Sequence, residues 1–481
     1  MSLALRSILP GSGTPTARSA IMPAQTAPTA TPPVLLPTLT EFTWKCVRIH
    51  ASAPAWTEHR FLADGTVTTM NGEAISTTGH WQLAGPRTVR VQQSPDNQIY
   101  FLNFDSALAS FDESNAQGVR VYQGSRNVRA APTPQPAPTI LAGRTSAASR
   151  QRMMDMNGGK KKSEEAVMRG LRWLVKNQSP DGSWGPQFKS AMSGFGLLCF
   201  LGHGETTTSP EFGATVKKAV DYMVAFGTKG EGKLGSNNSL SGGGPVYEHA
   251  IMTYALGEYY TMTKDERVVP VLTQAVQYIV QGQGPDGGWM YGYDKSKSDT
   301  SVSGWQIQAL KAAHLSQRNI SGVDAALDKA MLNLKRVQGP KGGFGYRDAA
   351  TERYSLTGVG VLCTYFWKQD KDELVRDGIK YILDKDQPEV NYKGPKANLY
   401  AWYYNTQACL MVGGSGWSKW NRMFQDQIAD AQSPDGSWPP TGNPKPNGPE
   451  ADKSALGSVY RTVLCTLMLE VYYRYLPVTK G

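Results

Sequence analysis

Two periodicities divide the chain. From Glu41 to about Tyr122, apolar and polar residues alternate in short runs, among them Phe42-Thr43-Trp44-Lys45-Cys46-Val47, His80-Trp81-Gln82-Leu83, Thr88-Val89-Arg90-Val91 and Ile99-Tyr100-Phe101-Leu102-Asn103-Phe104. A period of two describes strands with one buried face. Asp64-Gly65, between Arg60-Phe61-Leu62 and Thr66-Val67-Thr68, is a hairpin signal, because glycine tolerates the positive φ that tight turns require. Residues 41–125 are therefore expected to form a small antiparallel β domain, a sheet or a barrel. Beyond Ser163 the period becomes helical, as in Glu164-Glu165-Ala166-Val167-Met168-Arg169-Gly170-Leu171-Arg172-Trp173-Leu174, where the charges gather on one side.

The helical part is a repeat. Four turns share one pattern: Gln178-Ser179-Pro180-Asp181-Gly182-Ser183-Trp184, Gln283-Gly284-Pro285-Asp286-Gly287-Gly288-Trp289, Gln338-Gly339-Pro340-Lys341-Gly342-Gly343-Phe344 and Gln432-Ser433-Pro434-Asp435-Gly436-Ser437-Trp438. Successive glutamines are 105, 55 and 94 residues apart, so a unit of about 50 residues fits if the first and third gaps each hide a degenerate copy. Residues 227–235 and 384–392 stand where the period requires those copies. In each of six units a charged, amphipathic stretch ends at the turn and a more apolar stretch follows. The first kind spans 164–177, 211–226, 268–282, 322–337, 371–384 and 417–431. The second spans 191–202, 246–261, 300–315, 354–368, 399–412 and 456–475, and its poverty in charge suits an inner position. The fold class expected is mainly α, an (α/α)6 toroid over residues 163–481 with six outer and six inner helices, preceded by the β domain. Proline stops each outer helix and Asp-Gly reverses the chain.

Composition refines this outline. With 40% hydrophobic and 19% charged residues over 481 positions, the chain has the balance of a globular protein, which excludes collagen, coiled coil and mucin. Residues 1–40 carry seven Pro, seven Thr and six Ala and no acid, so they are expected to be disordered. Of the net +10, most sits in residues 126–162, where Arg126, Arg129, Arg144, Arg150, Arg152, Lys160, Lys161 and Lys162 face one Asp155. This Pro-rich, basic stretch reads as a solvated linker rather than a nucleic-acid groove, with contact to anionic lipid as its alternative use. No nucleic-acid partner is expected. The five cysteines are scattered without a CxxC or a nearby His cluster, so packed thiols are expected. No run approaches the ~18 apolar residues of a membrane span, and no secretion signal is recognisable, which favours a cytoplasmic or membrane-peripheral location.

The turn Gln-x-x-Asp-Gly-x-Trp, repeated after helices, resembles the QW repeat of squalene–hopene and oxidosqualene cyclases, shared in looser form with the β-subunits of protein prenyltransferases. The resemblance covers residues 163–481. It implies an α/α toroid with an apolar central cavity and chemistry at one mouth of the inner ring. It also implies that Gln178, Asp181, Trp184, Gln283, Asp286, Trp289, Gln338, Phe344, Gln432, Asp435 and Trp438 hold the fold together. Cyclases of this family protonate an alkene with an Asp at an inner-helix start, in a motif of which Ser296-Lys297-Ser298-Asp299-Thr300-Ser301 keeps only the final Asp and Thr. One toroid, where triterpene cyclases have two, argues against a full squalene cyclase. The prenyltransferase zinc set is lost as well, since Ser301 stands in the place of the thiolate and no His follows. Neither a metal nor a cofactor is expected.

The remaining candidates come from the starts of the inner helices. Asp299, and Glu248 with His249, are the acid or base candidates. As an N-cap, Asp299 needs no catalytic role. Trp305, Tyr354, Tyr400, Tyr403, Tyr404 and Tyr460 offer aromatic faces that stabilise a carbocation, pack an isoprenoid chain, or simply fill helix interfaces. Arg353 and Arg461 are suited to an anionic group, or to pairing with Glu352 and Glu470. Two readings follow. One is a toroid that binds, and in its enzymatic form transforms as a divergent terpenoid cyclase or prenyl-transferring enzyme, an isoprenoid-like apolar ligand in its central cavity. The other is a non-catalytic scaffold for a partner protein, with the β domain as a second contact surface.

Overall fold

The computed structural model describes the backbone of eight strands between residues 43 and 126, and residues 139–475 apart from 369–372, 385, 388 and 445–448. The chain divides into two units, one reaching to Gln135 and the other beginning at Pro136. The expected disorder of residues 1–40 and the Asp64-Gly65 turn lie outside the described residues.

The first unit is a closed antiparallel barrel. Its strands are β1 (Thr43–Arg48), β2 (Trp56–Phe61), β3 (Thr66–Asn71), β4 (Ala74–Gly85), β5 (Thr88–Ser94), β6 (Gln98–Phe104), β7 (Ser110–Asn115) and β8 (Arg120–Arg126). Each pairs with the next, and β8 returns to β1. The period of two has its expected consequence on β4, β5 and β6: Trp81, Val89, Val91, Leu102 and Phe104 are buried while Gln82 and Asn103 are exposed. Phe104 and Phe111 meet at 5.1 Å between ring centroids.

The second unit is an (α/α)6 toroid. A short 3-10 helix (Thr139–Arg144) and α1 (Ala147–Met156) precede six pairs of helices. The outer members are α2 (Lys161–Lys176), α4 (Gly213–Lys229), α6 (Val269–Gln281), α8 (Val323–Val337), α10 (Glu373–Ile382) and α12 (Gly414–Ala429). The inner members are α3 (Lys189–Gly202), α5 (Gly243–Thr263), α7 (Thr300–Leu315), α9 (Tyr354–Lys368), α11 (Leu399–Val412) and α13 (Ala455–Leu469), after which the chain turns at Glu470 into α14 (Val471–Arg474). Each inner helix packs on the next and α13 packs on α3, so the ring closes. No described helix is long and apolar enough to cross a membrane.

The repeated turn is the fastener of this ring. Gln178, Gln283, Gln338 and Gln432 each donate from Nε2 to two carbonyls, one four residues on and one near the start of the next outer helix: Thr215, Ala326, Leu374 and Ala166. Because Ala166 belongs to α2, Gln432 ties the last repeat to the first. The indoles of Trp184, Trp289 and Trp438 reach back to carbonyls of Leu174, Ile279 and Ile428 on their own outer helices. Gly182, Gly287, Gly342 and Gly436 sit at φ between 86° and 96°, and a Cβ there would strike the carbonyls of Lys218, Lys329, Asp377 and Arg169 on the next outer helix. The Asp of the turn serves locally, as Asp181 Oδ1 accepts from the Ser183 amide at 3.0 Å and Asp435 does the same for Ser437.

One expectation needs correction. The basic stretch 126–162 is not a free linker throughout. Arg144 is 1% exposed and donates to Glu258 at 2.8 Å and to the carbonyls of Leu201 and Arg474. Arg150 lies 3.7 Å from Glu164, while Lys160 and Lys162 pair with Asp426 and Asp430. Proline content and charge suggested solvation, but the acids that neutralise these cations come from distant helices. A lipid surface therefore does not find these four cations free.

Candidate functional site

The starts of α5, α7, α9 and α11 gather at one mouth of the inner ring, and Asp299 is the centre of what they assemble. Its amide donates to the Trp289 carbonyl at 2.8 Å, and the next residue, Thr300, is anchored to the carbonyls of Tyr346 and Gly345. The start of α7 is thus strapped between two successive repeat turns. Asp299 Oδ1 caps the helix, accepting from the amides of Ser301 at 2.7 Å and Val302 at 3.1 Å. The residue has no exposed surface, and Oδ2 has no hydrogen-bond partner.

Around that free oxygen stand phenols. Burial raises the Tyr291 hydroxyl to about 12, with the charge of Asp299 adding to it. Tyr247, Tyr346 and Tyr400 are raised by the same two causes in the same order of importance for the first two; for Tyr400 burial again dominates and Asp299 contributes less. The phenols are tied to one another and to Ser301. Tyr291 and Tyr346 share a hydrogen bond of 2.7 Å, Tyr247 donates to Ser301 Oγ at 2.9 Å, and Ser301 Oγ meets Tyr400 at 2.9 Å. Tyr291 and Tyr346 lie alongside the Asp299 carboxylate, which adds to the rise that burial gives both hydroxyls, and are half-buried, so they form the solvent edge of the site. A buried carboxylate oxygen left without a donor is costly unless something supplies one.

Arg353, at the start of α9, stacks its guanidinium over the Tyr346 ring at 5.2 Å. It makes no ion pair among the described residues and its Nε is buried without a partner. The expected pairing with Glu352 does not form, because Glu352 Oε1 accepts from the Lys341 amide at 2.7 Å. Two hydroxyls nearby in the ring, those of Tyr354 and Tyr460, are also buried and unpaired.

The other candidates are placed elsewhere. Arg461 does not face a ligand or Glu470: its guanidinium donates to the carbonyls of Trp438, Pro449 and Asp452, so it holds the loop before α13. Glu248 accepts from Ser236, and the amides of Ser190 and Ala191 at the start of α3 oppose the rise that burial imposes on its pKa. His249 Nδ1 accepts from the Leu234 amide at 3.1 Å and Nε2 meets the Ala275 carbonyl at 3.0 Å. Ala275 is on the next outer helix, so His249 does in a degenerate repeat what glutamine does in the intact ones. Both ring nitrogens of His249 are thus engaged within the fold, while Glu248 keeps Oε2 buried without a partner.

The bore is packed. Trp305, Tyr403, Tyr404 and Phe195 have no exposed surface, and Trp305 meets the other three rings at 5.8, 5.4 and 5.2 Å between centroids. Side chains of this kind leave no water-sized void beside them, so these four rings fill the part of the bore they line. A separate hollow of about 400 Å³ is lined by His314, Asn319 and Asp324 at the far end of α7 and contains none of the candidates. Among the described residues no cluster of three or more His, Cys, Asp or Glu could hold a metal ion, and Cys199, Cys363, Cys409 and Cys465 are buried free thiols.

Tyr291 and Tyr346 were not among the expected site residues. Each follows the aromatic of a repeat turn by two positions, after Trp289 and after Phe344. That shared offset is the signal that finds them.

A family model described as a domain of unknown function, DUF6288, matches residues 163–331. No curated protein sequence matches. Among solved structures, the chain is similar to the GH76A α-1,6-mannanase from Salegentibacter sp. HEL1_6, with 12% identity and a TM-score of 0.48 over 65% of this chain and 98% of that one. It is also similar to the type II terpene cyclase MstE from Scytonema, with 16% identity and a TM-score of 0.44 over 64% of this chain and 97% of that one. Neither likeness bears on the chemistry of this chain.

Proposed function

We propose that this protein binds a small molecule at the tyrosine-ringed mouth of the toroid and exchanges a proton with it through Asp299. The observation that carries the reading is the unpaired Oδ2 of a carboxylate with no exposed surface, set among four phenols. A group placed this way accepts a hydrogen bond or a proton from whatever enters, and in its protonated form returns one. The phenol rings supply faces suited to an isoprenoid-like fragment and to positive charge developing on it. Arg353, without an acid of its own, suits a carboxylate or phosphate carried by the same molecule. The packed bore limits the ligand to what the mouth accommodates.

Organic extraction and mass spectrometry of the purified protein test this reading. A co-purified molecule present at stoichiometric amounts, and lost in both Arg353→Ala and Tyr346→Ala variants that retain the far-ultraviolet spectrum, is the expected result. If the same molecule survives both substitutions, the mouth is not its site. A second reading, a non-catalytic scaffold, draws on the filled bore. It predicts a partner protein whose binding requires residues 41–125 and is indifferent to Asp299→Asn.

A further inference from the structure

The hollow at the far end of α7 is built beside two rings. His314, the last residue but one of α7, stands fifteen residues beyond Asp299 and so roughly 22 Å along the helix from it. Asp324 and Asp328, four residues apart on α8, share one face of that helix. Asp324 Oδ1 meets His314 Nδ1 at 2.7 Å, and Asp328 Oδ1 accepts from the indole of Trp367, at the end of α9, at 2.8 Å. The two rings held in this way meet edge to face at 5.1 Å between centroids. The imidazole is therefore fixed at one nitrogen by a carboxylate and against a ring that a second carboxylate holds.

This fixing has a chemical consequence. A carboxylate only accepts, so the proton of the neutral imidazole sits on Nδ1 and the lone pair is left on Nε2. Neither Nε2 nor Asp324 Oδ2 makes a hydrogen bond among the described residues. Both are acceptors, and the His314 side chain is 43% exposed, so a ligand reaches it without any opening of the fold. The hollow that His314 and Asp324 line has a volume of about 400 Å³, within the range of small-molecule sites. Ile320 and Val323 give it apolar wall, Gln317 and Asn319 bring two amides, and among the described residues no Lys or Arg lines it. The one basic residue of the loop between α7 and α8, Arg318, is turned to Tyr260 and Glu266 at 3.3 and 3.4 Å. With a neutral imidazole, the one formal charge of the lining is the negative charge of Asp324.

We propose that this hollow binds a small organic ammonium ion. An N–H of the ligand donates to His314 Nε2, Asp324 supplies the opposite charge, and the hydrocarbon part lies on Ile320 and Val323. A carboxylate or phosphate finds no cation in the lining and is repelled by Asp324. A neutral alcohol satisfies the acceptors but forgoes the charge, and hydrogen bonds between charged partners are the stronger ones. The site is independent of the mouth and of the ligand proposed there.

Saturation-transfer NMR titration of the full-length chain tests the inference with three probes of one shape: benzylammonium, benzyl alcohol and benzoate. Saturable binding of benzylammonium is expected, at least about tenfold tighter than that of either other probe. Two substitutions at exposed positions locate it. Asp324→Asn keeps an acceptor for Nδ1–H and removes the charge, and His314→Phe keeps the ring beside Trp367 and removes the lone pair; each should weaken benzylammonium binding about tenfold or more. The proposal is overturned by the absence of saturable benzylammonium binding below about 10 mM, by benzoate binding as tightly as the amine, or by an affinity for the amine that neither substitution changes. The comparison of the three probes on the parent chain needs no substitution, so misfolding does not cloud it.

Discussion

Arg144 and Glu258 meet at 2.8 Å across 114 residues of sequence, and both are at least 97% buried. The contact bolts the segment before α1 onto the inner ring, with Arg144 also spanning to the carbonyls of Leu201 and Arg474. A buried pair of this kind owes little to its mutual attraction, which desolvation largely cancels, yet losing one partner strands the other. Arg144→Ala is expected to cost about 3–5 kcal/mol, read as a lower denaturant midpoint. Arg144→Met combined with Glu258→Leu removes both charges and is expected to recover most of that loss. Equal losses in the single and double variants would mean that the carbonyl contacts, not the pair, hold the segment.

Gln432 is the seam of the toroid. Its Nε2 joins the carbonyls of Gly436 and Ala166, and Arg169 donates to its Oε1 at 2.9 Å. Replacing it with Met keeps volume but leaves partly buried carbonyls without a donor, at about 1–3 kcal/mol. The Gln283→Met change breaks an equivalent pair of bonds inside the ring. The two variants are expected to lose similar equilibrium stability, but Gln432→Met alone should speed amide hydrogen exchange in α2, because only there does the bond hold the first helix to the last repeat.

His249 and His203 respond to pH in opposite directions. Burial lowers the His249 imidazole to about 4. The unfolded chain therefore takes up a proton below about pH 6.5 that the folded chain refuses, and stability is lost between pH 6.5 and 4, by about 3 kcal/mol in total. For His203 burial also pulls downward, but hydrogen bonds to Glu164 and Glu205 outweigh it and the net shift is upward. Its contribution is fully present below pH 6.5 and lost as pH rises through its folded value. Urea denaturation of His249→Gln should show less loss of stability from pH 6.5 to 4 than the parent, whereas His203→Gln should differ above pH 6.5, where it should lack the fall in stability that the parent shows as pH rises through the folded value of His203. A parallel pair of profiles would reject both assignments.

The architecture was legible because its signals are local. Gln, Asp-Gly and Trp at fixed offsets report one turn, and four copies report a ring, so the inner and outer helices were placed close to their observed bounds. The site was less so. Glu248 and His249 are adjacent in sequence and chemically suggestive, but which surface each faces depends on the Ser236 hydroxyl, the Leu234 amide and the Ala275 carbonyl, brought in by folding. Arg461 looked available for the same reason, since nothing in the sequence shows that three loop carbonyls converge on it. The filling of the bore by Trp305, Tyr403 and Tyr404 is likewise a matter of packing: the same aromatic residues would line a cavity if the inner helices stood slightly further apart.

Asp299 separates structure from chemistry in one residue. Its Oδ1 caps α7 and its Oδ2 faces the phenols unpaired. Asparagine caps a helix about as well as aspartate, since its amide oxygen accepts the same two backbone hydrogen bonds. Asp299→Asn should therefore stay within about 1 kcal/mol of the parent in stability, whereas Asp299→Ala should lose roughly 1–2 kcal/mol with the cap. Neither variant has a carboxyl group to move a proton, so any turnover of the ligand at the mouth should fall by at least about a hundredfold in both. Binding should divide them differently from turnover: Asn keeps the shape of the site and leaves Arg353 and the tyrosines in place, so it should still retain the ligand. If turnover persists in Asp299→Asn while Asp299→Ala fails only in proportion to its unfolding, Asp299 is a cap and nothing more.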